Sequence, residues 1–263
     1  MYFSGGNQKN VVPNKAETRI YVCERKEHFY HNIVKSSHRI TKYTGVEFDI
    51  ILNEKGVSIQ AMGMGSHASR PEQGKNAITG LVALLQELPL RGDAAEKLSS
   101  IYRIFPYGDY YGEAAEICHE DNLAGKLTIS LNTLKVSEDK FLATFDSRTP
   151  ICADEKSLRP IKEKISKAGF KGWYKFNKAH YTSVESELVK TLLACYEKYT
   201  GEKGNCLSTG GGTYVHNLKN AVAFGFSMPE EENNMHGADE WTYVKTLLTG
   251  GMIYTEAIIS LCQ

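Results

Sequence analysis

The sequence lacks an excess of charge of either sign, and this excludes one broad class of function. Its 263 residues include 31 Lys and Arg and 31 Asp and Glu, so the formal net charge is zero. A protein that binds nucleic acid irrespective of sequence needs a strong basic excess to neutralise phosphates. The share of apolar residues, 41%, likewise excludes a disordered tail and is typical of a chain with a packed core.

Long apolar runs and paired cysteines are missing as well. No run of about 18 apolar residues occurs, so we expect no membrane-spanning helix. The first residues also lack the basic and apolar regions of a signal peptide. The six cysteines are scattered, with no C-x-x-C pair of the kind that forms a zinc or redox site. Most of them have apolar neighbours, which predicts buried, reduced thiols and a cytoplasmic location.

Residues 1–179 carry the patterns of an α+β domain. Alternating apolar residues predict β-hairpins at 44–62 and 126–146. Apolar residues at helical spacing predict helices at 76–88 and 154–168, the first of them stopped by a proline. No internal repeat or low-complexity tract interrupts this organisation.

The pattern changes after residue 179, where we place a domain boundary. Residues 180–263 are predicted to contain an amphipathic helix at 186–200, an apolar strand at 221–226 and a long helix at 241–261. A short buried strand between helices is typical of an α/β layer. The predicted fold class is therefore α+β for the first domain and α/β for the second.

Three loops contain residues that could bind a ligand or a metal. Glycines and a proline place His67 on a shaped turn just before a helix. Residues 210–212 are three consecutive glycines, whose backbone N–H groups could approach a carboxylate or a phosphate. His236 follows the apolar strand in an acidic loop, where a metal ligand could lie.

Each of these loops also has a plain structural explanation. His67 could be a solvent-facing loop histidine, the three glycines could form a tight turn, and His236 could be incidental in a solvated acidic loop. A further motif, the H-x-D triplet that starts at His119, is of the kind that supplies ligands in two-metal hydrolases. It lies in a polar stretch typical of a surface loop, so we interpret it as a coincidence.

Taken together, several separated segments resemble the zinc metallopeptidase family that contains aminoacylase, carnosinase and the PepV-type bacterial dipeptidases. The matching segments follow the family's order along essentially the whole chain and are residues 5–13, 65–77, 146–150, 210–214, 223–225 and 236–240. The resemblance implies a lid domain of antiparallel sheets with packed helices over residues 1–179. It implies that residues 180–263 are the C-terminal portion of an α/β zinc-peptidase catalytic domain.

The resemblance also assigns roles to individual residues. His67 would hydrogen-bond the scissile carbonyl oxygen as it becomes an oxyanion, and His236 would be a zinc ligand. Arg148 would hold the substrate's C-terminal carboxylate, since a planar guanidinium suits bidentate pairing. The same end of the substrate would be fixed by Asn10, Gly210, Gly211, Gly212 and Thr213. The implied mechanism uses two zinc ions that activate a bridging water, with a glutamate as general base.

The chain departs from the family in its metal ligands. The family's other ligands and its general base lie in a segment before the lid, whereas this sequence opens at the lid. The triplet at His119 lies inside the lid and the glutamates at 230–232 lie beyond the last strand, so neither can take those roles. Because catalytic zinc normally has three protein ligands, we expect a truncated chain that alone neither binds two zinc ions nor hydrolyses peptides.

The length of the lid-like part favours one branch of the family. A lid of about 179 residues with two α+β subunits resembles the PepV-type dipeptidases, in which the extra subunit takes the place of a partner's lid. We therefore expect hydrolysis of unblocked dipeptides and a monomeric complete enzyme. In the isolated chain, exposed strands would lead to self-association or disorder. Two alternatives stay open: an N-acyl amino acid deacylase or desuccinylase of the same family, and a non-catalytic module that binds peptides or carboxylates.

Overall fold

The chain forms two compact units, residues 1–178 and residues 179–263. The computed structural model describes residues 1–172, 174–225, 227–229, 231 and 239–262. The division between the units lies one residue away from the boundary predicted after residue 179. Over the described residues, no helix is both long enough and apolar enough to cross a membrane.

The first unit is built on one antiparallel sheet of six strands in the order β10-β9-β1-β3-β5-β4. These strands are β1 (Tyr2–Gly5), β3 (Lys15–Tyr21), β4 (Glu47–Asn53), β5 (Gly56–Met62), β9 (Thr128–Val136) and β10 (Phe141–Arg148). Two small two-stranded sheets lie beside it, formed by β2 (Val11–Val12) with β6 (Ser66–His67) and by β7 (Glu120–Asp121) with β8 (Gly125–Lys126). The N-terminal strand β1 therefore lies in the interior of the sheet, between β3 and β9.

Four α-helices accompany the sheet: α1 (Lys26–Thr44), α2 (Ala77–Gln86), α3 (Asp93–Ile104) and α4 (Arg159–Lys167). Helix α2 is the central one, since it packs against α1 and α3 as well as against β3, β5 and β9. Nine of its ten residues are buried. A helix that is apolar on nearly every side is stable only when it is covered in this way.

The start of α2 is fixed by a buried asparagine. The Oδ1 atom of Asn76 accepts hydrogen bonds from the backbone N–H groups of Ile78 (3.0 Å) and Thr79 (3.2 Å), as an N-cap residue does. Its Nδ2 atom donates to the carbonyl oxygen of Leu131 at 2.8 Å. One side chain therefore satisfies the helix terminus and joins the helix to β9.

The predicted hairpins and helices of the first unit are confirmed, but their grouping is not. The hairpin at 44–62 is β4–β5 and the hairpin at 126–146 is β9–β10. Both belong to the same six-stranded sheet, whereas two α+β subunits were expected in residues 1–179. Helices α1 and α3 were not predicted from the sequence, and neither was the central position of β1. The predicted helix at 154–168 begins as a 3₁₀ turn, Glu155–Leu158, before α4.

The second unit is formed mainly by two helices, α5 (Glu187–Thr200) and α6 (Val244–Leu261), and a short 3₁₀ helix, Tyr214–Asn217. The two α-helices pack on each other around four buried residues, Leu192, Cys195, Ile253 and Ala257. Lys198 on α5 binds Glu256 on α6 at 2.6 Å, and the hydroxyl of Tyr199 donates to the same carboxylate at 3.2 Å. Both predicted helices are thus present.

The predicted strand at 221–226 is not formed over residues 221–225, and Phe226 lies outside the described residues. Two carbonyl oxygens of this segment accept hydrogen bonds from side chains and not from a neighbouring strand. The Ala221 oxygen accepts from His180 Nε2 (2.6 Å) and from Thr182 Oγ1 (2.7 Å). The hydroxyl of Tyr254 donates to the Phe224 oxygen at 2.5 Å. The described part of the second unit therefore contains no strand, and the chain as described is a mixed fold with an antiparallel sheet.

The cysteines also differ from expectation in part. All six are free thiols, as predicted. Only Cys195 is buried, in the small core of the second unit, and the other five are exposed. Apolar neighbours in the sequence did not indicate burial here, because most of these cysteines lie in loops or at element ends.

Candidate functional site

Two of the predicted site residues, Asn10 and His67, lie side by side in the first unit. Strand β2 pairs antiparallel with β6, which sets Val11 opposite His67. The backbone N–H of Ala68 donates to the carbonyl oxygen of Asn10 at 2.9 Å. Both Asn10 and His67 are exposed. The ladder between these short strands thus brings together two residues that are far apart in the sequence, and both are exposed.

The loop after His67 is shaped by its own hydrogen bonds. The backbone N–H of Arg70 donates to the His67 carbonyl oxygen at 2.9 Å, and the Ser66 hydroxyl donates to the Arg70 carbonyl oxygen at 3.1 Å. Pro71 is buried and opens a 3₁₀ turn. A Cβ atom at Gly74 would lie 2.7 Å from Ser66 Oγ, so the turn closes only around a glycine.

The ring of His67 is bound by Ser69. The Nδ1 atom lies 2.7 Å from the Ser69 hydroxyl oxygen, and the backbone N–H of Ser69 donates to the same Nδ1 at 3.2 Å. These contacts hold an exposed imidazole in one orientation. Ser69 was part of the motif that pointed to His67, but a contact between a ring and the residue two positions later cannot be read from spacing alone.

The loop that carries Asn10 is anchored by Asn132, which the sequence did not single out. Asn132 is completely buried, and its Nδ2 atom donates to the Lys9 carbonyl oxygen at 2.5 Å. It is the extra residue of a β-bulge, since β10 pairs on either side of it with Leu131 and Thr133.

A close approach of the backbone completes this anchor. Gly6 has φ +68°, and a Cβ atom there would lie 1.8 Å from the Asn132 carbonyl oxygen. A signal for the bulge was present in the sequence, because the alternation of core residues along β9 skips a position between Leu131 and Leu134. The bulge at Asn132 thus fixes the backbone at Gly6 and Lys9, where the chain enters the loop that carries Asn10.

Arg148 ends β10 and is paired with a carboxylate on its own strand. Its Nε atom lies 2.6 Å from Asp146 Oδ1 and its Nη2 atom 2.9 Å from Asp146 Oδ2, a bidentate arrangement. Both side chains are mostly buried, with 27% and 19% of their surfaces exposed. Residues two apart on a strand share a face, so Asp146 is placed to orient the guanidinium. Strand β9 links the two parts of the site, because β10 pairs with it and β2 packs against it.

The glycine loop belongs to the second unit. Residues 210–213 are exposed, and the N–H of Gly211 donates to Thr209 Oγ1 at 3.2 Å. Thr213 then opens the 3₁₀ helix, its carbonyl oxygen accepting from the N–H of His216. The backbone of this loop is accessible, which is what an anion-binding loop requires.

The predicted zinc ligand, His236, lies outside the described residues. Among the residues that are described, no group of three or more His, Cys, Asp and Glu side chains is arranged to hold a metal ion. The triplet at His119 is occupied by structural contacts, since the ring Nδ1 lies 2.9 Å from the Ile117 carbonyl oxygen. The backbone N–H groups of Ala124 and Cys152 hold the pKa of the Asp121 carboxyl below its usual range. These contacts agree with the interpretation of the His119 triplet as a coincidence and not as a metal site.

The chain is similar to bacterial proteins named as dipeptidases, although no family model matches it. It is 30% identical over 262 residues to the protein named "Putative dipeptidase YtjP" of Bacillus subtilis, an alignment that covers 99% of this chain and 55% of that protein. It is 30% identical over 214 residues to the Beta-Ala-Xaa dipeptidase of Lactobacillus delbrueckii, covering 81% of this chain and 45% of that protein.

A third relative, from Staphylococcus epidermidis, also has a name that refers to a dipeptidase. It is 25% identical over 263 residues, covering 99% of this chain and 55% of its own length. The chain therefore spans about half the length of the curated relatives that it matches. The similarity extends across both units, since the alignments with the first and third relatives cover nearly all of this chain.

Proposed function

We propose that this chain is the substrate-binding part of a dipeptidase, a hydrolase that acts on unblocked dipeptides. The observation that carries the proposal is the pairing of β2 with β6, which brings the exposed residues Asn10 and His67 close together. The names of the relatives support a dipeptidase over a deacylase, because each refers to dipeptides. A dipeptide offers two features to such a surface, a carbonyl group at the scissile bond and a C-terminal carboxylate.

His67 is proposed to donate a hydrogen bond to the scissile carbonyl oxygen. As water attacks, this oxygen gains negative charge, and a donor that is already oriented stabilises that charge without reorganising. The contacts between Ser69 and the ring supply such orientation in an otherwise exposed side chain. Recognition of the C-terminal carboxylate of the substrate is assigned to other residues, Arg148 and Asn10.

Arg148 is proposed to bind the C-terminal carboxylate of the dipeptide, with help from Asn10. A guanidinium presents several donors in a fixed plane and can bind more than one carboxylate oxygen. Asp146 uses two of these donors and fixes the plane of the group. In the second unit, the exposed loop of Gly210, Gly211, Gly212 and Thr213 is proposed to help bind a carboxylate.

Zinc remains part of this proposal. Two zinc ions would supply a water nucleophile activated at neutral pH, and His236 would be one of their ligands. A catalytic zinc normally takes three protein ligands, and the described residues provide no such group. We therefore propose that the 263-residue chain on its own retains no pair of zinc ions and binds dipeptides without hydrolysing them.

Oligomeric state and location also belong to the proposal. Helix α2 is covered within the first unit, so this helix is not available for pairing with a second copy. This supports a monomeric complete enzyme. The free state of all six cysteines is compatible with a reducing compartment such as the cytoplasm, which we retain as the proposed location.

The proposal is tested by titrating a dipeptide that begins with β-alanine into the chain and following backbone amide shifts by NMR. We expect weak binding that Arg148→Ala reduces about tenfold, since a hydrogen bond to a charged group contributes on the order of 1.5 kcal/mol. The exposed Arg103 on α3 provides the matched control, and Arg103→Ala should bind like the wild type. Unchanged binding in Arg148→Ala contradicts the assignment of Arg148.

Two further outcomes test the remaining parts of the proposal. Stronger binding of an N-acetyl amino acid than of the unblocked dipeptide would favour a deacylase over a dipeptidase. Hydrolysis of the dipeptide by the chain with stoichiometric zinc would show that the chain is active alone, and the proposal of an inactive chain would then be wrong.

A further inference from the structure

The hydrogen bonds around His67 determine which ring nitrogen carries the proton. A neutral imidazole has one N–H donor and one acceptor nitrogen, and the choice between the two tautomers depends on the partners. The backbone N–H of Ser69 can only donate, and it points at Nδ1 from 3.2 Å. Nδ1 must therefore accept, which leaves the ring proton on Nε2.

The Ser69 hydroxyl strengthens the same choice. Its oxygen lies 2.7 Å from Nδ1, and a hydroxyl can rotate to donate. With Nδ1 as acceptor, both the backbone N–H and the side-chain O–H of Ser69 are satisfied by one ring atom. The opposite tautomer would set an Nδ1–H donor against the Ser69 N–H donor, and one hydrogen bond would be lost.

We infer that Ser69 is a positioning residue that fixes the neutral ring of His67 in its Nε2–H form. The inference rests on the proposed function for its catalytic meaning: Nε2–H is the donor that would meet the scissile carbonyl oxygen. Because Nδ1 is occupied by Ser69, Nε2 is the other polar atom of the ring, and in this tautomer it is a donor. The site therefore presents His67 as a hydrogen-bond donor and not as a general base.

The tautomer can be measured directly in the chain without substrate. Two-bond correlations between ring protons and ring nitrogens, recorded by NMR on the chain labelled with ¹⁵N-histidine, distinguish a protonated from an unprotonated nitrogen. The measurement is made in weakly alkaline buffer, in which free imidazole is neutral. His67→Gln assigns the signals, and the exposed His38 on α1 serves as the internal reference.

We expect His67 to show a protonated Nε2 and an unprotonated Nδ1, with the two nitrogen shifts further apart than those of His38. In Ser69→Ala the two shifts should move towards each other, because only the backbone N–H remains of the two groups that favour this tautomer. Ser69→Thr retains a hydroxyl and should restore the wild-type pattern. A protonated Nδ1 in the wild-type chain, or unchanged shifts in Ser69→Ala, would overturn the inference.

The outcomes of this experiment distinguish failure of the inference about Ser69 from failure of the proposed function. If His67 has the expected tautomer but the chain binds no dipeptide, the proposed function is contradicted and the role of Ser69 in fixing the ring stands. If dipeptide binds but the His67 nitrogens average like those of His38, only the inference about Ser69 is contradicted. Once His67→Gln has assigned the signals, the wild-type spectrum decides the tautomer, and this variant changes only an exposed side chain.

Discussion

Helices α2 and α6 have similar apolar character but opposite environments. In the first unit, α2 buries nine of its ten residues between two helices and a sheet. In the second unit, α6 buries four of its 18 residues. Its exposed side chains include Val244, Leu247, Leu248, Met252, Ile258 and Ile259. The difference shows that an apolar helix is buried only when other elements cover it. The sequence of the helix alone does not reveal whether they do.

The same contrast holds for the two units as wholes. Among the described residues, one cluster of 30 buried hydrophobic residues extends through the first unit. The corresponding cluster of the second unit contains four buried residues. Buried apolar area is the main source of folding free energy, at about 25 cal/mol per Å². We therefore expect the first unit to be the more stable of the two.

The largest expected effect comes from truncating a leucine in each of these helices. Leu81 on α2 is completely buried and Leu248 on α6 is 64% exposed. Leu81→Ala should lower the free energy of unfolding of the first unit by about 2–5 kcal/mol, because it leaves a cavity. Leu248→Ala should change that of the second unit by about 0.5 kcal/mol or less. Amide hydrogen exchange in α2 and α6 measures each unit separately. Equal losses would show that the exposed face of α6 is covered in solution.

A smaller contrast is expected between the N-caps of the two units. Asn76 is buried and makes a capping interaction together with a bond to Leu131, so Asn76→Ala should cost about 2–3 kcal/mol. Ser186 caps α5 through one bond to the N–H of Val189, at 3.3 Å. Ser186→Ala should cost about 0.5–1 kcal/mol. Urea unfolding followed by amide exchange gives both values. A larger cost for Ser186→Ala than for Asn76→Ala would contradict the expected order of the two caps.

The smallest effect concerns alkaline pH and one tyrosine of the first unit. The Tyr107 hydroxyl donates to the Thr44 carbonyl oxygen at 2.5 Å. Burial, together with the neighbouring Tyr110 and Tyr43, raises the pKa of Tyr107 to about 12. A raised pKa means that its contribution to stability is complete below the ordinary tyrosine pKa of about 10 and is lost as the pH rises towards 12.

The urea midpoint of the first unit should therefore fall across this alkaline range. Tyr107→Phe cannot ionise at this position, so its midpoint should be lower at neutral pH but should fall less steeply above pH of about 10. Tyr199→Phe in the second unit removes a hydroxyl that also makes a hydrogen bond and is the matched control. Identical alkaline slopes for the wild type and Tyr107→Phe would contradict the assignment to Tyr107.

Local patterns in the sequence predicted local structure well. Alternating residues located both long hairpins, and apolar residues at helical spacing located α2. What the sequence did not provide was pairing at long range. The interior position of β1 depends on β9, which lies far along the chain. The strand expected at 221–226 is not formed over residues 221–225. A strand needs a neighbour, and here the Ala221 and Phe224 carbonyl oxygens accept hydrogen bonds from side chains.

The candidate site follows the same rule. His67, Asn10 and Arg148 were proposed from their motifs, and the pairing of β2 with β6 brings the first two close together. The supporting contacts were not found, because they depend on backbone geometry. Asp146 contacts Arg148 only through the pleat of one strand, and Ser69 reaches His67 only through the turn between them.

The bulge at Asn132 has a consequence for the order in which the chain can fold. The Lys9 carbonyl oxygen and the Gly6 backbone meet Asn132, so the loop that carries Asn10 cannot be completed until residue 132 has been synthesised. Contacts at such long sequence separation form slowly, because a large loop must close first. During translation, the β3–β4–β5 part of the sheet can pair early, whereas the Asn10 loop waits for β9. The candidate site around Asn10 is thus among the last parts of the first unit to assemble.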